Sequence, residues 1–176
     1  MKNFILPILA LLFFISCQPT KESKLERIAE LEMQTMQDAK EISSQRADSL
    51  LAMYDSYIMD FPKDTNSAIM LYKAADICSN VKYCDRAITY LDRLVSDFPE
   101  SYMVEIAKFK MGDVYEKACN NKEKAKEAYG KFVQEYPKSQ LANDAAIMFQ
   151  MLEMPDEMEM IRQFEEKNAE TPTIEE

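Results

Sequence analysis

Apolar residues recur along most of this chain at three- and four-residue steps, with charge between them. From Leu25, the series Leu25, Ile28, Leu31 (or Glu32), Met36, Ala39 and Ile42 follows the 3.6-residue period of an amphipathic helix. Ser43-Ser44 reads as a turn or N-cap, and Leu50, Leu51, Tyr54, Tyr57 and Ile58 predict a second helix ending at Asp60-Phe61-Pro62. The pattern then repeats. Asp64-Thr65-Asn66-Ser67 offers caps, Ile69 to Ile77 reads as a helix, and Ser79-Asn80 as a polar turn. A partner helix follows from about Tyr83 to Asp97, with Ala87, Leu91, Leu94 and Val95 inward. The next unit has a helix from about Ser101 to Ala118, a turn at Cys119-Asn120-Asn121-Lys122, and a helix to Glu135. A seventh helix is expected over about Lys138 to Leu152. Pro155 with Asp156 and Glu157 opens another, whose Met158, Ile161 and Phe164 share a face and would cap the array.

The stops Asp60-Phe61-Pro62, Asp97-Phe98-Pro99 and Glu135-Tyr136-Pro137 place their aromatics 37 and then 38 residues apart. Seven residues before each aromatic stand Tyr54, Leu91 and Tyr129; four before stand Tyr57, Leu94 and Phe132. Ala87 and Ala125 coincide at minus eleven, Ala74 and Gly112 at minus twenty-four. Small residues at those places let two helix backbones approach, and the proline ends the second helix of each pair. A fixed period of this length is the mark of a repeat array. The expectation is an all-α solenoid of about four antiparallel helical hairpins spanning residues 24–168, with an acidic tail at 169–176.

Two absences narrow the chemistry. The chain has no histidine, which removes the commonest general base and metal ligand, and only two glycines, too few for a phosphate-cradling loop. No cofactor is expected, and no enzymatic activity: the 31 acidic residues fall mostly on polar helix faces, where a solvated surface is the ordinary reading. The formal net charge of −10 argues against a nucleic-acid partner and against adhesion of the folded body to an anionic membrane. Attachment to a membrane therefore needs a separate device.

Residues 1–16 supply a candidate. Lys2 is followed by an apolar run from Phe4 to Ile15, too short to span a bilayer but suited to a signal-peptide core. The run ends Phe14-Ile15-Ser16-Cys17, which resembles the lipobox of bacterial lipoproteins, with Phe14 where leucine is usual. The resemblance implies that Cys17 is acylated after cleavage, with residues 17–23 forming the acylated cysteine and a short tether. Several buried acyl chains hold far better than one. Gln18 is not the aspartate that retains many such proteins in the inner membrane, which points to the outer membrane.

The repeats carry a second resemblance. Gly112-x-x-Tyr115, Ala125, Tyr129, Phe132 and Pro137 resemble the small–aromatic–alanine–aromatic–proline pattern of tetratricopeptide repeats, without the usual tryptophan and with Ile77 in place of a tyrosine. The Tyr-Pro-Lys-Ser and Phe-Pro-Glu-Ser endings, followed by Ala107 and Ala145, are similar to repeats of BamD-type envelope lipoproteins and of the Tol–Pal-associated cell-division coordinator. This implies a right-handed solenoid and a non-catalytic scaffold that binds other envelope proteins, lipid-anchored in the outer membrane of a Gram-negative bacterium and facing the periplasm. A lipoprotein that binds a small glycan or peptide is the alternative. The family's groove positions fall on Ala68, Leu71, Ala75, Cys78 and Ser79 in one unit, and on Ile106, Phe109, Asp113, Glu116 and Lys117 in the next. Leu71, Ala75, Phe109, Asp113, Glu116 and Lys117 are the protein-binding candidates.

Two clusters read more plainly as structure. Met151, Met154, Met158 and Met160 suggest thioether ligands for Cu(I), but methionine is a general filler of irregular cores, and no metal is expected. An exported address permits disulfides, and Cys78 and Cys84 flank one turn closely enough to bridge. With no CxxC spacing, however, Cys78, Cys84 and Cys119 are expected as buried free thiols.

Overall fold

The computed structural model describes residues 20–38, 42–155, 160–162 and 165–166. Phe4 to Pro19 with the lipobox-like Cys17, Ala39, Asp156 to Met158, Phe164 and the tail 169–176 lie outside the described residues. The chain is an all-α solenoid, and no strand occurs among the described residues. Among the described residues seven helices follow in order: α1 (Lys21–Asp38), α2 (Ser44–Asp60), α3 (Thr65–Asn80), α4 (Cys84–Asp97), α5 (Met103–Lys117), α6 (Lys122–Glu135) and α7 (Ala142–Glu153). Residues 160–162 and 165–166 are also helical. Each helix packs on the next, and α3 also packs directly on α5, so the first helices of successive hairpins form one face.

The three stops share one geometry. Phe61, Phe98 and Tyr136 each donate their backbone N–H to the carbonyl four residues back (Tyr57, Leu94 and Phe132), at 2.8–3.1 Å. All three adopt φ near −130° with ψ of 55–58°. They have left the helical region because a following proline crowds it. Asp64, Ser101 and Ser139, three residues further on, each donate a backbone N–H to the aromatic's carbonyl, closing a tight turn with proline second. Each then accepts with its side chain from the backbone two residues ahead: Asn66, Met103 and Leu141, at 2.8–3.2 Å. Asp64 is thereby the N-cap of α3, whereas Ser101 and Ser139 stand just ahead of the first residues of α5 and α7.

The opposite edge is built from other residues. Lys82 (φ 64°) and Asn120 (φ 49°) take left-handed conformations sixteen residues before their unit's aromatic. After α3 the Tyr83 N–H reaches the Cys78 carbonyl at 2.8 Å and the Lys82 N–H reaches Ser79 at 3.2 Å, the paired bonds of a Schellman ending. This corrects one boundary: Ser79 and Asn80 belong to α3, and the turn lies just beyond them. Two other edges differ from expectation. α1 begins at Lys21, inside the segment read as tether, and α7 begins only at Ala142, because Tyr136–Ser139 forms the third stop-turn.

Burial follows the repeat register. At minus seven Tyr54, Leu91 and Tyr129 are buried, and so are Tyr57, Leu94 and Phe132 at minus four. Ala74, Ala87, Gly112 and Ala125 are buried too. A Cβ built on Gly112 would lie 2.5 Å from the Tyr129 ring. The preceding unit has Ala74 and Leu91 at the same two positions. The larger ring of the later unit therefore requires the smaller partner.

Two of the three cysteines overturn the expectation of free thiols, and Cys78 meets it. Cys84 and Cys119 form a disulfide, with Cα atoms 4.9 Å apart. Among the described residues Cys78 is the free cysteine, and it is buried. Cys84 opens α4 and Cys119 lies in the turn after α5, so the bond ties two successive hairpins along one edge. Lys82 Nζ reinforces it by donating to the Lys117 carbonyl at 2.7 Å. Sequence separation hid the pair: the two cysteines are 35 positions apart, yet one repeat period brings the turns side by side. Burial pushes the Cys78 thiol up to about 11, leaving it protonated and inert at neutral pH.

Candidate protein-binding face

The first helices of the successive hairpins are α1, α3, α5 and α7, and α3 packs directly on α5. The outward positions of α3 are Ile69, Tyr72, Lys73 and Asp76, since Ala68, Leu71, Ala74, Ala75, Cys78 and Ser79 all point inward and are buried. Leu71 and Ala75 are fully buried between neighbouring helices and present no side chain to a ligand. The groove register transferred to this unit is therefore one step off. The reason is packing: α2, α4 and α5 all lie against α3 and close over those positions.

On α5 the expected positions are nearer the surface. Phe109 is half-buried, its ring 5.7 Å from Tyr129 and 5.5 Å from Phe132, so it belongs more to the core than to the face. Asp113, Glu116 and Lys117 remain together. Asp113 accepts from Lys110 Nζ at 2.8 Å and also pairs with Lys117. Burial alone would raise the Asp113 carboxyl; the hydrogen bonds from Lys110 and Lys117 outweigh it and hold the group below the usual carboxylate range. Glu116 accepts from the Tyr129 hydroxyl at 3.4 Å.

Residues that sequence reasoning did not single out complete the face. Lys110 Nζ lies 2.7 Å from Asp76, so a charge ladder Asp76–Lys110–Asp113–Lys117 crosses from α3 to α5. Between α1 and α3, Lys73 Nζ meets both Glu32 oxygens at 2.8 Å, and the Tyr54 hydroxyl donates to the same carboxylate at 2.6 Å. Burial, with Glu32 adding to it, drives the Tyr54 phenol above the ordinary tyrosine range. On α7, Ile147 and Met151 are 43 % and 60 % exposed, and Met154, just beyond its last residue, is 59 % exposed. Ile147 and Met151 stand at i and i+4 on one side of the helix, and Met154 follows its end in an extended conformation. The unequal spacing of lysines and acids between units carried no signal for this ladder, whereas Ile147 and Met151 are legible as apolar residues at a helical step.

Of the methionines weighed as thioether ligands, Met151, Met154 and Met160 are exposed and Met158 lies outside the described residues. Among the described residues no group of three His, Cys, Asp or Glu is placed to hold a metal ion. Ile161, expected to pack inward, is 45 % exposed. The expected anchor Cys17 lies outside the described residues, and no described helix is long and apolar enough to cross a membrane. The recesses between helices are open grooves; that between α4 and α6, about 300 Å³, is floored by Met111, Tyr115 and Phe132 and rimmed by Lys108, Lys124 and Lys131.

Residues 107–139 match the tetratricopeptide repeat family, a segment running from the middle of α5 through α6 to the third stop-turn. No curated protein matches the chain.

Proposed function

We propose that this protein is a non-catalytic adaptor that binds other envelope proteins through the face formed by α1, α3, α5 and α7. Acylated Cys17 holds it in the outer membrane of a Gram-negative bacterium, facing the periplasm, where it serves outer-membrane protein assembly or envelope organisation. The observation that carries this reading is the pair of surfaces: a charge ladder across α3 and α5 and exposed apolar side chains on α7, on a repeat architecture whose general use is protein–protein interaction. Such surfaces offer charge for register and methionine side chains for adaptable contact. Two features support the address. Ser16-Cys17 closes an apolar run of signal-peptide length. The Cys84–Cys119 disulfide belongs to an oxidising compartment, as the periplasm is.

The test is crosslinking in intact cells, followed by purification of the full-length lipidated protein and mass spectrometry of what accompanies it. Lys117→Glu and Met151→Ser alter exposed side chains, so both proteins should fold. A reproducible envelope partner that is lost in these variants is the expected outcome. No partner above background, or one unaffected by both changes, overturns the proposal.

A further inference from the structure

The solenoid has two distinct edges. One carries the three aromatic–proline turns at Phe61–Asp64, Phe98–Ser101 and Tyr136–Ser139; the other carries the Lys82 and Asn120 turns and the disulfide. The start of α1 belongs to the first edge and is fastened there. Lys21 pairs with Asp64, and Lys24 pairs with Asp60 while donating to the Ser56 hydroxyl at 2.8 Å.

Lys21 follows Cys17 by four residues, a reach of roughly 14 Å at full extension. The 16 residues of α3, which runs from one edge to the other, span roughly 24 Å. An anchor at Cys17 therefore draws the proline edge toward the bilayer, and the disulfide edge has no comparable tie.

The side chains of that edge suit such a neighbour. Met59, 76 % exposed, and Tyr102, 68 % exposed, are the two most exposed large hydrophobics among the described residues, and both stand on it. Methionine offers apolar contact, and tyrosine favours the membrane–water interface, where its ring and hydroxyl meet different media. Four acids there are paired with cations: Asp97 has Arg93 at 3.8 Å and Glu135 has Lys108 at 2.7 Å, besides the Asp60 and Asp64 pairs, while Glu100, third in the second turn, is exposed. Lys63 and Lys138, third in their turns, are exposed.

We infer that the proline-turn edge lies against the lipid headgroups, with Met59 and Tyr102 entering the interface and the disulfide edge directed away. This rests on the lipid anchor of the proposed function and adds an orientation to it. The binding face then stands upright on the membrane, open from the side.

The chain has no tryptophan, so a single one can report position. The full lipidated protein carrying Tyr102→Trp or, at the exposed end of α3, Asn80→Trp would be reconstituted in phosphatidylethanolamine–phosphatidylglycerol vesicles containing a dansyl-headgroup lipid. Intact mass, circular dichroism and tryptophan-to-dansyl energy transfer are read on each. Acyl mass on Cys17 with several-fold stronger transfer from Y102W than from N80W is expected. Acylated, folded protein with equal transfer, or stronger transfer from N80W, overturns the orientation alone and leaves the proline edge to a protein partner. Protein lacking acyl mass overturns the anchor, and the orientation with it.

Discussion

From α1 to α5 the core is continuous and mainly aliphatic: Leu50, Leu51, Leu71, Leu91, Leu94 and Val114 are buried together, and so are Tyr54 and Tyr57, whose hydroxyls donate to Glu32 and Asp64. In the α6–α7 region only Ala125, Tyr129, Phe132 and Ala145 are buried, and the surrounding space is filled by half-buried Phe109, Tyr136 and Phe149. Both regions use the same repeat register. The difference is in neighbours: an interior hairpin is covered from both sides, whereas α7 has α6 behind it and exposed methionines in front. A terminal unit must fill its core with fewer, larger side chains, and rings in offset and edge contact do so here. The disulfide and the Lys82–Lys117 bond sit at the junction and clamp the thinner region to the thicker one.

The sharpest way to break this comparison is to truncate equivalent core positions. Phe132→Ala should cost about 3–5 kcal/mol and Leu94→Ala about 2–5 kcal/mol. Hydrogen exchange separates them: F132A should release protection in α6 and α7 alone, L94A throughout. Loss spread evenly by F132A would mean that the solenoid is one cooperative unit.

Removing the clamp comes next. The Cys84–Cys119 bond spans a separation of 35 residues, for which chain entropy gives about 4 kcal/mol. A Cys84→Ser/Cys119→Ser protein should show that loss in denaturant midpoint, with new exchange concentrated after Lys117. In unfolded wild-type protein without reductant, alkylation should label Cys78 but neither Cys84 nor Cys119; labelling of all three would remove the bridge.

Gly112→Ala tests the ring fit. Its new methyl meets Tyr129 at 2.5 Å and should destabilise by about 1–3 kcal/mol. Adding Tyr129→Leu, which restores the pair of the preceding unit, should recover part of that in a double-mutant cycle. Absence of coupling would show that the two positions do not size each other.

The smallest effect is electrostatic. The Asp113 carboxyl is held below its ordinary value near 3.8, so its contribution is present above that value. It is lost as pH falls through the lowered folded value, because the unfolded chain binds the proton first. Asp113→Asn should flatten the dependence of stability on pH below about 4, and a parallel profile would count against the ladder.

The hairpins, their stops and the inward positions at minus four and minus seven were legible because local chemistry decides them: helical periodicity, proline and small residues act within one turn of the chain. The groove was legible only in part. Asp113, Glu116 and Lys117 stand together on α5, but Leu71 and Ala75 are core, since their exposure depends on how closely α2, α4 and α5 approach.

What the sequence determined by itself is the repeat, because each helix and turn is encoded by residues close to it. The tertiary structure decided which cysteines meet, which lysine bridges which carboxylates, and where the apolar face ends. Those outcomes join residues a full repeat apart, and stacking sets their distances. Periodicity in a sequence fixes the direction in which a side chain points; only the packed neighbour determines what it meets there.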